Sequence, residues 1–187
     1  MSDALPDNDT ALMQLASAGH RDAFETLVRR HQRPLLNFFL RAGVTSDAED
    51  LVQQTFVRLY RYRNRYRPSA KFTTFLYLLA RQVWIDEIRR RQRRRRLWER
   101  MAEQVQVDTQ PARNDPPAGM TDALQHALDR LSPRLRDVIT LGILQDLNQA
   151  DVAEILHIPV GTVKSRMFNA LRELRQHLKT GPEEHES

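Results

Sequence analysis

The 187-residue chain is 41% hydrophobic and 28% charged, with a formal net charge of +5, a length that fits one or two small domains. It contains no cysteine, which excludes disulfides, thiol chemistry and cysteine-ligated zinc. Its pI of about 10.1 favours an anionic partner, either nucleic acid or an anionic membrane surface.

The opening segment, MSDALPDNDTALMQLASAGH, is acidic and lacks the positive n-region and apolar core of a signal peptide. No apolar run approaches the roughly 20 residues of a membrane span, so a soluble cytoplasmic protein without membrane insertion is expected. Apolar residues recur at helical spacing almost throughout and strand alternation is absent, so the expected fold class is all-α. Asp9 or Thr10 is placed to cap a short helix ending at Gly19. Phe24, Leu27, Val28, Leu35, Leu36, Phe38, Phe39 and Leu40 mark a second helical region, with Pro34 as a kink or boundary.

Ser46 to Glu49 reads as a capping box opening a helix that buries Leu51, Val52, Thr55, Phe56 and Leu59. Its outer face carries Asp47, Glu49, Asp50, Gln53 and Gln54, a set suited to basic side chains on a partner helix. The same acids also suit a solvated face at the positive end of the helix dipole. They follow one another along a helix start rather than converging, so no metal site is expected.

After the polar segment Arg61–Pro68, a long helix runs from about Lys71 into the arginine run, with Phe72, Phe75, Leu76, Leu79 and Val83 on one stripe. Tyr66, Phe72, Tyr77 and Trp84 offer aromatic surface, and Lys71, Arg81 and Arg89 offer charge, the combination that holds single-stranded bases. Core packing is the competing use of these rings, and for Phe72 and Phe75 it is the preferred one. Arg89–Arg96, RRRQRRRR, places seven arginines in eight residues. They repel one another unless an anion is near. DNA phosphate is the expected anion, and a solvated helix end is the alternative.

Val105–Gly119 is rich in proline and polar residues and reads as a flexible linker. The organisation is therefore a domain over 9–97, a linker over 98–120 and a second domain over 121–179, with a frayed tail beyond. In the second domain Ser132-Pro133 starts a helix carrying Leu135, Val138, Ile139 and Leu141. Asn148 caps the next, whose inner face is Val152, Ala153, Ile155 and Leu156. The turn His157-Ile158-Pro159 breaks it, and a further helix buries Val163, Met167, Leu171 and Leu174. Thr162, Lys164, Ser165, Arg166, Phe168 and Asn169 are left on the open face. Lysine and arginine suit guanine, asparagine suits adenine, and either basic residue also suits phosphate. An ordinary amphipathic hairpin with a basic face has the same spacing.

The wording Asp151-Val152-Ala153-Glu154-Ile155-Leu156 followed by Ile158-Pro159-Val160-Gly161-Thr162-Val163-Lys164-Ser165-Arg166 closely resembles the last domain of bacterial RNA polymerase sigma factors of the sigma-70 family, extracytoplasmic-function (ECF) class. The upstream Ala127–Val138 resembles the start of that domain. The resemblance implies a helix-turn-helix of winged-helix-like, sigma type reading the −35 promoter element through Thr162, Lys164, Ser165, Arg166, Phe168 and Asn169. Many relatives carry a basic residue where this chain has Asn169, which implies a different base preference or one fewer phosphate contact.

Asp47–Leu59 resembles the segment that docks on core RNA polymerase, implying contacts by Asp47, Glu49, Asp50, Gln53 and Gln54. Phe72–Arg90 resembles the helix that recognises and opens the −10 element, implying Lys71, Phe72, Tyr77, Arg81, Gln82, Trp84, Arg89 and Arg90 at the DNA. Promoter DNA and core RNA polymerase are the implied partners, with an anti-sigma factor and a stress or envelope signal. No cofactor, small-molecule substrate or catalysis is expected. Two other readings remain. A conventional regulator would need only the helix-turn-helix. A DNA-processing enzyme would need convergent acids or a nucleophile, and the sequence offers neither, its six histidines being scattered.

Overall fold

The computed structural model describes residues 6–44, 47–67, 71–101 and 122–179, and all regular structure among them is helical. The helices are α1 (Asp9–Ser17), α2 (Arg21–Arg41), α3 (Ala48–Tyr62), α4 (Phe72–Met101), α5 (Asp122–Arg130), α6 (Pro133–Ile139), α7 (Gln149–Leu156) and α8 (Val160–Lys179). A single π-helical turn, Thr140–Leu144, prolongs α6. The expected linker falls outside the described residues except for its first few positions, which lie in α4.

Four local expectations meet the structure in different ways. Asn8, not Asp9 or Thr10, caps α1, accepting the Thr10 amide at 2.8 Å. Asp9 is drawn away by Arg30 and His31. Of the two readings of Pro34 the boundary is excluded, because α2 continues through it. Proline removes one backbone hydrogen bond, but Leu27 and Leu35, both fully buried, share the face that carries the helix past it. Asp47 occupies the cap position of α3 without a side-chain cap bond, and Ser46 lies outside the described residues. Ser132 stands at the cap of α6 and Pro133 at its first helical position, as expected, though the Ser132 side chain makes no cap bond.

In the first half, α1, α2, α3 and the beginning of α4 surround Leu12, Leu27, Leu35, Phe39, Leu51, Leu59 and Leu76, all fully buried. In the second half, Leu128, Leu131, Ile139 and Ala170 form a small core beneath α5 and α8. The two halves are packed together. Val138, Leu141, Val152, Ile155 and Leu156 belong to the same apolar cluster as Phe38, Tyr77, Leu79 and Val83. Lys71 Nζ meets Asp151 Oδ2 at 3.1 Å, and the Tyr77 hydroxyl donates to Gln145 Oε1 across the same junction.

His31 lies buried in the first core, its ring 5.1 Å from that of Phe72 and its Nε2 2.8 Å from Asp9 Oδ2. Burial pushes its pKa below the ordinary value, outweighing the opposing pull of Asp9. The unfolded chain therefore takes up this proton first as pH falls. Stability from His31 is full above its unfolded pKa of about 6.5 and declines as pH drops from there toward the folded value. Tm measured from pH 7.5 down to 5.5 should fall, and His31→Asn should flatten that part of the profile.

Candidate nucleic-acid interface

The second half presents a helix-turn-helix. Asn148 Oδ1 accepts the Asp151 amide at 2.9 Å and caps α7. His157 closes α7 in the left-handed region, φ +53°, where its amide and that of Ile158 reach back to Glu154 and Ala153 carbonyls. An αL residue at this position is a common helix stop, and Pro159 then starts α8, its carbonyl accepting the Thr162 and Val163 amides. Val163 and Ala170 point inward with no exposure, and Met167, Leu171 and Leu174 are half-buried against the small core.

Lys164, Ser165 and Phe168 are exposed on the outer face of α8, and Thr162, Arg166 and Asn169 are half-exposed beside them. The six residues thus lie along one helix. Phe168 is 68% exposed, the most open large apolar side chain among the described residues. Nothing in the fold requires a phenyl ring in water there, and contact with a thymine methyl is one use for it. A Cβ at Gly142 would stand 2.5 Å from Met167 Cε, the far end of a flexible side chain that would have to shift aside.

α4 divides its candidates between three faces. Phe72 is buried against His31 and Tyr66, so as placed it is a core ring and not a surface for bases. Tyr77 (3% exposed), Arg81 and Trp84 face the second half. Tyr77 packs edge-on against Phe38 and bonds Gln145, and burial raises its pKa, so it stays a neutral phenol. Arg81 and Trp84 line a cavity of about 230 Å³ between the halves, with Ile88, Arg136, Asp137 and Leu156. Lys71 is held by Asp151. In this arrangement Tyr77 is covered, Arg81 and Trp84 are half-covered, and Lys71 is paired but exposed. Gln82 and Arg89 lie on a third, exposed face.

Sequence reading missed two acids. Glu87, 3% exposed, sits under the arginine run. Arg90 Nε donates to it at 2.7 Å, Arg91 Nε at 2.9 Å and Arg94 Nη2 at 3.2 Å. Burial alone would raise its pKa, but the bonds from Arg91 and Arg90 outweigh this and hold the carboxyl below its ordinary value. The i,i+3 and i,i+4 spacing to Arg90 and Arg91 was the available signal. Asp137, on α6, carries no signal in the sequence, because it is burial that raises its pKa, against the opposing charges of Arg81, Arg136 and Arg166.

On α3, Glu49, Asp50, Gln53 and Gln54 are exposed on a continuous surface that extends to Val57 and Tyr60, 51% and 49% exposed. Asp47 departs from them: its carboxylate takes Arg91 Nη2 at 2.7 Å. Among the described residues no three metal-ligating side chains converge, and no helix is long and apolar enough to cross a membrane.

Comparison with known proteins follows these two regions. Residues 27–94, containing α3 and most of α4, match the family model of sigma-70 region 2, and residues 121–174, containing α5 to most of α8, match that of sigma-70 region 4. The chain is 32% identical to the ECF RNA polymerase sigma-E factor of Haemophilus influenzae, over 87% of this chain and 90% of that one. It is 29% identical to the ECF RNA polymerase sigma factor SigW of Bacillus subtilis, over 86% and 91%. Among solved structures, CnrH in complex with the cytosolic domain of CnrY aligns with TM-score 0.68 and 25% identity, over 94% of this chain and 99% of that chain. The sigma factor RpoE of Bartonella quintana, in complex with the anti-sigma factor NepR, shares the fold, with TM-score 0.70 and 24% identity over 84% and 98%.

Proposed function

Because the chain belongs to the sigma-70 family, in its ECF class, we propose that it binds core RNA polymerase through α3 and directs it to promoters whose −35 element is read by α8 and whose −10 element is opened by α4. The observation that carries this reading is the pairing, in one chain, of an exposed acid-and-amide face on α3 with an exposed face on α8 that carries Lys164, Ser165 and Phe168. A conventional regulator needs the second face and has no use for the first.

In the docking role, Glu49, Asp50, Gln53 and Gln54 meet basic side chains of the polymerase, and Val57 and Tyr60 continue the contact with apolar area. Asp47 joins them only by giving up Arg91. On α8, Lys164, Ser165 and Asn169 take base edges, Phe168 a methyl group, and Thr162 and Arg166 the adjoining backbone. The covered face of α4 adds a condition. Tyr77, Arg81 and Trp84 reach DNA only after the second half has moved off them, breaking the Lys71–Asp151 and Tyr77–Gln145 contacts. An anti-sigma factor is the natural partner to hold the halves together. Such a protein acts with the polymerase in the cytoplasm, and a stress or envelope signal fits the class.

Gel filtration with core polymerase tests the reading. The chain should co-elute as an equimolar complex that retains promoter fragments which core alone releases. A chain that elutes separately from core, yet still binds DNA, would favour the regulator instead.

A further inference from the structure

The arginine run is not one charged patch. At 3.6 residues per turn, Arg89, Arg93 and Arg96 fall within an arc of about 60° on α4, on the side that also carries Gln82. All four are exposed, and the three arginines have no ion-pair partner among the described residues. Arg93 Nε rests on the Arg89 carbonyl at 3.4 Å, which leaves its terminal nitrogens outward. Arg90, Arg91 and Arg94 occupy the other side, where Glu87 gathers all three and Asp47 takes the far end of Arg91.

We propose that Arg89, Arg93 and Arg96 form a phosphate track for promoter DNA, and that Glu87 is a positioning residue which withholds Arg90, Arg91 and Arg94 from it. The track advances about 10 Å along the helix axis, enough to follow a strand backbone rather than grip one phosphate. Glu87 removes charge from the side of α4 that faces α3 and leaves it on the side that faces solvent. This makes Arg90 a member of the clasp, not a DNA contact, and it brings Arg93 and Arg96 to the DNA. Without Glu87, Arg90 and Arg94 would be free, Arg91 staying with Asp47, and the helix would bind any DNA more tightly. The buried carboxylate therefore limits non-specific affinity as it shapes the track.

The inference rests on the reading of the chain as a promoter-binding sigma factor, but its test does not require transcription. The probe is a short DNA duplex of random sequence, bound by the full chain between about 50 and 200 mM salt. Each phosphate contact contributes roughly 0.9 to the slope of log K against log salt. Replacing Arg89, Arg93 and Arg96 together with glutamine should reduce that slope by about 2.7. Arg90→Gln and Arg94→Gln should leave it unchanged, and either leaves Glu87 with two arginine partners. Glu87→Gln should steepen it, by up to about 2 where Asp47 keeps Arg91. The proposal is overturned if Arg90→Gln or Arg94→Gln lowers the slope as much as Arg89→Gln, or if the triple variant does not lower it. A chain that shows these slope shifts but never supports initiation would keep the track and lose the sigma reading.

Discussion

Asp50→Arg is expected to weaken binding to core RNA polymerase by several kcal/mol, roughly a hundredfold or more. Like charges set against each other across an interface cost that much, and Asp50 is exposed in the first turn of α3 with no ion-pair partner among the described residues. The substitution also loses a favourable interaction with the helix dipole, worth only about 0.3–1 kcal/mol. Thermal melting therefore separates the two effects: a small drop in Tm with a large loss of core affinity marks a docking residue. Affinity of the chain for −35 DNA should stay as it was, since α8 lies in the other half. Core binding unchanged by Asp50→Arg would remove α3 from the interface.

Lys164→Ala carries the next largest effect. A good bidentate base contact is worth about 1–3 kcal/mol of discrimination, so affinity for the cognate −35 sequence should fall roughly 5- to 150-fold. Lys164 is exposed and makes no ion pair among the described residues, so its loss should leave stability within about 0.5 kcal/mol. The comparison that matters is between cognate and random duplex. Loss confined to the cognate sequence marks base reading, whereas equal loss on both marks a phosphate contact and moves the burden of specificity to Ser165, Phe168 and Asn169.

Much of this arrangement is legible in the residues. The α7–turn–α8 unit follows from Asn148, Pro159 and the apolar spacing of Val163 and Met167, because capping and the breaking of a helix are local events. The α3 face is equally plain, since the buried Leu51, Val52, Thr55, Phe56 and Leu59 fix which side is left outward. What the sequence hides is every relation between elements distant in the chain. Tyr77 and Arg81 have the chemistry of a DNA surface, and only the packing of α7 against α4 shows Tyr77 buried and Arg81 half-covered. The arginine run reads as uniform charge until Glu87 is seen to be buried beneath part of it. Pro34 misleads in the opposite direction, as a local breaker overruled by apolar residues on both sides of it. At Asp9 the local capping signal loses to Arg30 and His31, more than twenty residues away.

The most direct measurement is transcription reconstituted from core RNA polymerase, genomic DNA fragments from the same source and the purified chain, with transcript 5′ ends mapped. If α3 docks and α8 selects, adding the chain should produce discrete new start sites sharing a common upstream element, and Lys164→Ala should weaken them. Transcripts identical to those of core polymerase alone, from a chain shown to bind both core and DNA, would contradict the sigma function.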